Sequence, residues 1–232
     1  MRIPAQEPIF ENRFDAGRKL AAQLMEYKDR SAVVLAIPNG GVAVALGVAL
    51  ALDAELDLVI SRKIPLPLSP EGGFGAVTDD GTIILNDEVV RSAGLTEPQI
   101  NYQVNLVRAD LRQRSLLYLS NRSPVVVTDR IVIIIDDGLA SGYTMIAAVR
   151  SIRHRQPREI VAAVPVAPAA AVEEVAKVVD RVVACAVSSM PRFYISDFYR
   201  YWHVVSDDEA MQCLREWRMR RFQSRIEPRE SK

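Results

Sequence analysis

The sequence predicts an α/β fold in which a parallel sheet is flanked by helices. Three observations carry this. From residue 131 onward, strand-length apolar runs alternate with helical runs, at 131–135, 142–155, 159–166, 168–178 and 181–187. The strand runs are apolar throughout rather than alternating, as in strands covered on both faces. The first half repeats the theme, with a strand at 32–37, a helix at 41–52 and a strand at 57–61. Strands separated by helices imply parallel crossovers.

The elements follow in order. Residues 11–29 read as an amphipathic helix capped by Asn12, with Phe14, Leu20, Leu24 and Met25 on one face. After the second predicted strand, residues 62–82 change character, rich in proline, glycine and charge. Asp80-Gly81 predicts a hairpin turn between GAVT and TIIL. The remainder reads as a long flexible loop. Thr96 caps a long helix at 97–119, with Pro98 in its first turn. Ile100, Val104, Val107 and Leu111 mark its apolar face, and Asn121 to Pro124 end it. Its length suits a partner surface or a homo-oligomer contact. Pro157 ends one later helix and Pro168 opens the next. His154 lies near a helix C-terminus, where a cation is favoured. From 189 the chain is irregular and aromatic, then helical from about 207. Residues 214–232 hold seven basic and three acidic residues and read as a basic surface tail.

Composition narrows the class. The chain has 232 residues, 49% of them hydrophobic, enough for one sizeable core, and 1–232 reads as one domain. Lys+Arg and Asp+Glu both number 29, whereas a general nucleic-acid binder would be basic. Cys185 and Cys213 lack metal-type spacing and form no disulfide framework, which fits a reducing cytoplasm. Cys185 reads as core. MRIPAQEPIF carries no apolar signal segment. The apolar stretch 33–60 is no membrane span: Pro38 to Gly41 break it, and the run at 42–52 is too short.

In open parallel sheets, ligands bind at the carboxyl ends of the strands. Three features fall there: Pro38 to Gly41, Arg62-Lys63, and Asp136 to Thr144. The turn at 138–144 leads into a helix N-terminus, where free N–H groups and the helix dipole favour an anion. Gly138, Ala140, Gly142 and Tyr143 supply backbone, and Ser141 and Thr144 add hydroxyl donors. No Lys follows the glycine as in a Walker loop, and the pattern is not G-x-G-x-x-G. The adjacent Asp136 and Asp137 would repel a phosphate. They suit sugar hydroxyls or Mg²⁺ instead. A ribose 5-phosphate unit offers a partner to both parts.

Residues 131–145, IVIIIDDGLASGYTM, resemble the ribose-5-phosphate motif of the type I phosphoribosyltransferases. Ser141 stands where Thr is commoner. The similarity runs from about Phe10 to Glu209. It includes Asp15-Ala16-Gly17, PNGG, SRKI, SPEGGFGAV and a late FY segment ending near SDDE. Within the family the chain resembles a less characterised bacterial and archaeal branch.

The resemblance implies a Rossmann-like type I phosphoribosyltransferase fold, with a small hood at 189–210 and a flexible loop at 62–82. It implies a transferase of nucleotide metabolism that uses Mg²⁺. Ribose 5-phosphate would pass from phosphoribosyl pyrophosphate to a small nitrogen heterocycle, releasing pyrophosphate. Asp136 and Asp137 would be catalytic, holding ribose and Mg²⁺ directly or through water. Gly138, Ala140, Ser141, Gly142, Tyr143 and Thr144 would hold the 5-phosphate. Asn39, Gly40, Gly41, Arg62 and Lys63 would hold pyrophosphate, although many members carry Arg where this chain has Asn39. Phe193 or Tyr194 would stack on the acceptor, Asp197 would reach the metal, and Glu71 would touch ligand or metal. Two other readings stay open. One is a non-catalytic regulatory protein that binds phosphoribosyl pyrophosphate or a nucleotide. The other is a receiver-type phospho-acceptor, which lacks the Lys it would need at the ends of strands 159–166 and 181–187.

Overall fold

The computed structural model describes residues 8–119 and 124–226. Helix α1 (Arg13–Gln23) opens the fold, and its Asn12 cap accepts a hydrogen bond from the Asp15 N–H at 2.9 Å. Then come β1 (Val33–Ala36), α2 (Gly40–Leu52) and β2 (Glu55–Leu58). Three further strands follow, β3 (Ser61–Leu66), β4 (Ser69–Thr78) and β5 (Ile83–Leu85). They lead into helices α3 (Asp87–Ser92) and α4 (Glu97–Leu119). The second half reads β6 (Ile131–Ile135), α5 (Tyr143–Arg153), β7 (Glu159–Pro168), α6 (Ala169–Ala176) and β8 (Arg181–Ser188). Helix α7 (Asp207–Ile226) is the last described element.

The central sheet has five parallel strands in the order β2-β1-β6-β7-β8. Successive side chains alternate between its two faces. Val34, Ile133, Ile135 and Val161 enter one apolar cluster, and Val33, Leu35, Ile134 and Ile160 enter the other. Both faces are covered, so the central strands β1 and β6 are apolar at every position. The five strands predicted from sequence are the five of this sheet. No helix among the described residues is long and apolar enough to cross a membrane.

Three expectations need correction. Phe14 and Met25 are exposed, while Ala16, Leu20 and Leu24 are buried. The cause is a close helix crossing: a Cβ on Gly17 would lie 2.4 Å from the Val44 carbonyl oxygen. At this crossing the buried stripe of α1 is lined by Ala16, Gly17 and Ala21, with Leu20 buried beside them, while Phe14 faces outward. Second, 62–82 is strand for most of its length, not mainly loop. β3, β4 and β5 form a separate antiparallel sheet, with the expected turn at Asp80-Gly81 joining β4 to β5. Pro65 is tolerated because β3 is an edge strand with a register shift there. Third, the basic stretch from 214 is not a loose tail as far as 226. Ala210 and Leu214 are buried, and Trp217 Nε1 donates to the Ala54 carbonyl at 3.3 Å. Residues 1–7 and 227–232 and the helix stop expected from Asn121 lie outside the described residues.

Candidate active site

The sheet order reverses direction between β1 and β6, and a crevice opens there at the carboxyl ends of the strands. Ala36 lies opposite Ile135, so both strands release their loops at one level. The Ile37 N–H donates to the Ile135 carbonyl at 2.8 Å and holds the two loops together. Residues 38–41 and 136–142, far apart in sequence, thus face each other.

The loop after β6 is anchored at one point, where the Leu139 N–H donates to the Val166 carbonyl at 2.9 Å. Gly142 caps α5 with φ of 84°, a left-handed conformation that favours glycine. From Ala140 to Thr144, no N–H group donates to a protein acceptor among the described residues. Free donors in the opening turn of a helix create a position that favours negative charge. They border a pocket of about 160 Å³ that Lys63, Gly73 and Gly75 close from the second sheet. Ile195 seals its base, since a Cβ on Gly138 would meet Ile195 at 2.8 Å.

The two carboxylates are not equivalent. Asp136 accepts the Asp137 N–H at 2.8 Å and lines the crevice. Asp137 Oδ2 accepts from Arg13 Nε at 2.7 Å. Arg13 in turn donates to the His203 carbonyl at 3.0 Å and lies 3.8 Å from the Trp202 ring centroid. Tyr199 Oη donates to the Asp137 carbonyl at 2.6 Å. Burial, then repulsion from Asp137, pushes the Asp136 carboxyl well above its usual range. Burial also raises Asp137, and Arg13 offsets that only in part. The pair is therefore short of positive charge. Hard oxygen donors in that state fit Mg²⁺, which takes one or two carboxylates and completes its shell with substrate oxygens and water. Asp197 does not join them: it is exposed, and no group of three His, Cys, Asp or Glu converges among the described residues.

Gly40 and Gly41 do more than form a turn. A Cβ on Gly40 would fall 2.0 Å from Asp137 Oδ2, and one on Gly41 would lie 2.7 Å from the Ile135 carbonyl. Their small size lets the N-terminus of α2 press against the carboxylate, where the helix dipole favours negative charge. The Gly41 N–H is already bound to the Ile37 carbonyl at 3.1 Å.

Arg62 and Lys63 sit on β3, not at a loop start. Arg62 Nε lies 3.3 Å from Asp110 Oδ2, and Lys63 Nζ donates to the Pro70 and Glu71 carbonyls at 3.0 and 2.6 Å. With Pro38, Asp110, Asp136 and Thr144 they line a cleft of about 600 Å³ roofed by α4. The structure thus brings Asp136, Thr144, Arg62 and Lys63 together.

Asn39 points elsewhere. Its Nδ2 donates to the Val205 carbonyl at 2.9 Å and to Asp207 at 2.8 Å. Its Oδ1 accepts from Arg114 at 3.0 Å and from Tyr118 at 3.1 Å. Asp207 also accepts from Arg114 at 2.6 Å and from Tyr118 at 2.8 Å, the single Tyr118 proton being shared between Asp207 and Asn39. Burial works against the Asp207 charge, but the hydrogen bonds from Tyr118, Asn39 and Arg114 outweigh it and hold the carboxyl low.

The expected acceptor residues do not meet this cleft. Phe193 packs on Phe198 at 5.2 Å, beside Phe10 and Tyr199. Tyr194 is exposed, and neither residue lines the two pockets above. Glu71 is exposed and offers Lys63 only its carbonyl. Cys185 is partly buried, and burial pushes its thiol up to about 11. Sequence reasoning missed Arg13, Asp110, Arg114, Tyr118 and Asp207. Arg13 lies two residues before Asp15-Ala16-Gly17, and that proximity was its one available signal.

A parallel sheet covered by helices, with a free N–H run and an acidic pair at the point where its strand order reverses, defines an α/β protein of the open-sheet class. Residues 6–196 match the phosphoribosyl transferase domain, and the chain belongs to that family. It is 37% identical over 206 residues to a Mycobacterium tuberculosis protein provisionally named phosphoribosyl transferase Rv0571c. That match covers 89% of this chain and 46% of the relative, so the chain spans about half the relative's length. The crystal structure of TT1426 from Thermus thermophilus superposes with a TM-score of 0.73 at 34% identity, covering 90% of this chain and 98% of that one.

Proposed function

We propose that this domain transfers ribose 5-phosphate from phosphoribosyl pyrophosphate to a ring nitrogen of a small heterocycle and releases pyrophosphate. One observation carries the reading: the free N–H run from Ala140 to Thr144 lies beside Asp136, in a cleft shared with Arg62 and Lys63. That array offers donors for a phosphate, a carboxylate for sugar hydroxyls and cations for a leaving diphosphate.

In the reaction the bond from ribose C1 to the pyrophosphate oxygen breaks, and a bond from C1 to the acceptor nitrogen forms. The ring gains positive charge in between. The protein's contribution is positioning and charge placement rather than covalent chemistry. Residues Ala140 to Thr144 hold the 5-phosphate. Asp136 takes ribose hydroxyls, and Arg62 and Lys63 take pyrophosphate together with the backbone at 39–40, Gly41 allowing the close approach. Asp136 and the second oxygen of Asp137 would hold Mg²⁺, directly or through ribose and water, and the bound ion would screen the pyrophosphate charge. The β3–β4 hairpin is the lid, excluding water that would otherwise hydrolyse the donor. An acidic heterocycle sheds its proton without a dedicated base.

Thermal unfolding tests the site. With Mg²⁺ present, phosphoribosyl pyrophosphate at about 100 times Kd adds about 2.7 kcal/mol of stability. Asp136→Asn should shrink the resulting rise in melting temperature, and an unchanged rise would remove the site assignment. The single variant is preferred because Asp137 is committed to Arg13. One observation favours a binding protein without turnover: Asn39 replaces the commoner Arg and turns toward Asp207. Pyrophosphate release against a panel of heterocyclic bases separates the two readings.

A further inference from the structure

The junction around Asn39 extends further than a loop anchor requires. We propose that Asp207, with Arg114 and Tyr118, is a positioning group that sets both walls of the pyrophosphate subsite. The proposal rests on the function given above and deepens it.

Four hydrogen bonds use both donors and both lone pairs of the Asn39 side chain. Its partners come from two other elements: α4 supplies Arg114 and Tyr118, and the start of α7 with the segment before it supplies Asp207 and the Val205 carbonyl. An amide held on all sides fixes its own backbone, and that backbone is the loop beside the crevice. Removing one partner takes a hydrogen bond from each of the others in a partly buried setting.

The network has a second end in the same cleft. Arg114 Nε contacts Asp110 Oδ2 at 3.0 Å, and Asp110 Oδ2 contacts Arg62 Nε at 3.3 Å. The chain Asn39–Asp207–Arg114–Asp110–Arg62 therefore begins at one wall of the cleft and ends at the other. It holds two guanidinium groups and two carboxylates, so its own charge is balanced. It can orient Arg62 without adding net negative charge where a diphosphate would sit. The anion cradle at 140–144 lies outside the chain and is anchored separately, through Leu139 to Val166. Disturbing Asp207 should therefore act on one half of the donor site and spare the other.

This asymmetry is the test. Inorganic pyrophosphate with Mg²⁺ and ribose 5-phosphate are titrated separately by calorimetry into wild type, Asp207→Ala and Tyr118→Phe. Misplacement of a binding wall should weaken pyrophosphate about tenfold or more in Asp207→Ala. Tyr118→Phe should weaken it less, and ribose 5-phosphate affinity should stay unchanged in both. Asn39→Ala combined with Asp207→Ala should be no worse than the stronger single variant, because both break one network. Equal weakening of both ligands would make the network a general fold support and overturn the proposal, as would unchanged pyrophosphate binding. Tyr118→Phe removes one oxygen and carries the test if Asp207→Ala does not fold. A wild type that binds ribose 5-phosphate but not pyrophosphate overturns this proposal alone. A wild type that binds neither overturns the assignment of the site itself.

Discussion

Arg13 makes two adjacent aspartates tolerable at the end of a buried strand. Its Nε pairs with Asp137 at 2.7 Å, its Nη1 meets the His203 carbonyl at 3.0 Å, and its planar group lies over Trp202. These are three different demands, namely charge, a second donor and a flat face, and only guanidinium meets all three. Arg13→Met removes the charge and leaves Asp137 buried without it. Breaking a buried pair in that way costs about 3–5 kcal/mol. Arg13→Lys restores the charge alone and should recover only part of that loss. Urea unfolding of the three proteins measures both steps. A lysine variant as stable as wild type would mean that the Trp202 and His203 contacts contribute nothing.

Among the elements, legibility followed the range of the interactions involved. The strands and helices from 131 to 188 were readable because each is specified within its own residues, by unbroken apolar runs and by Pro157 and Pro168. The turn with free N–H groups was locatable for the same reason, its donors and hydroxyls lying within seven consecutive residues. The β3–β4 hairpin was not, because edge strands accept the prolines and glycines that mark loops elsewhere. Helix α7 was placed from about 207, but its docking past 214 was missed because its arginines hide a narrow buried stripe of Ala210 and Leu214. Arg13 and Asp207 were the hardest to reach, because their bonds to Asp137 and Asn39 span 124 and 168 residues. Helix α4 was read correctly on its packed face. Val104 and Leu111 are buried, whereas Leu116 is 73% exposed. Leu111→Ala should therefore cost about 2–5 kcal/mol in denaturant unfolding. Leu116→Ala should stay within about 0.5 kcal/mol of wild type. Equal effects would mean that the outer face of α4 is also covered in solution.

At the scale of the whole molecule, the site is a meeting of elements that the sheet order alone would leave loose. The order β2-β1-β6-β7-β8 opens the crevice. Helices α4 and α7 then converge on the α2 N-terminus through Asn39, Arg114 and Asp207. Because that convergence depends on a charged carboxyl, it carries a pH signature. Asp207 is held below its ordinary value of 3.8, so the unfolded chain binds a proton there before the folded one does. Its stabilisation is complete above 3.8 and is lost as pH falls through the lower folded value. Glu209, gripped by the Ser206 N–H and hydroxyl, is lowered from 4.5 to about 2 and acts in the same direction. The contribution of these two carboxylates to the unfolding free energy should therefore decline as pH drops below about 4.5. Asp207→Asn should be less stable than wild type at neutral pH, and the gap between them should narrow as the carboxyl is protonated. Parallel urea titrations from neutral to acid pH measure that gap. A gap that stays constant into the acid range would mean that Asp207 joins the helices by shape and hydrogen bonding, without its charge.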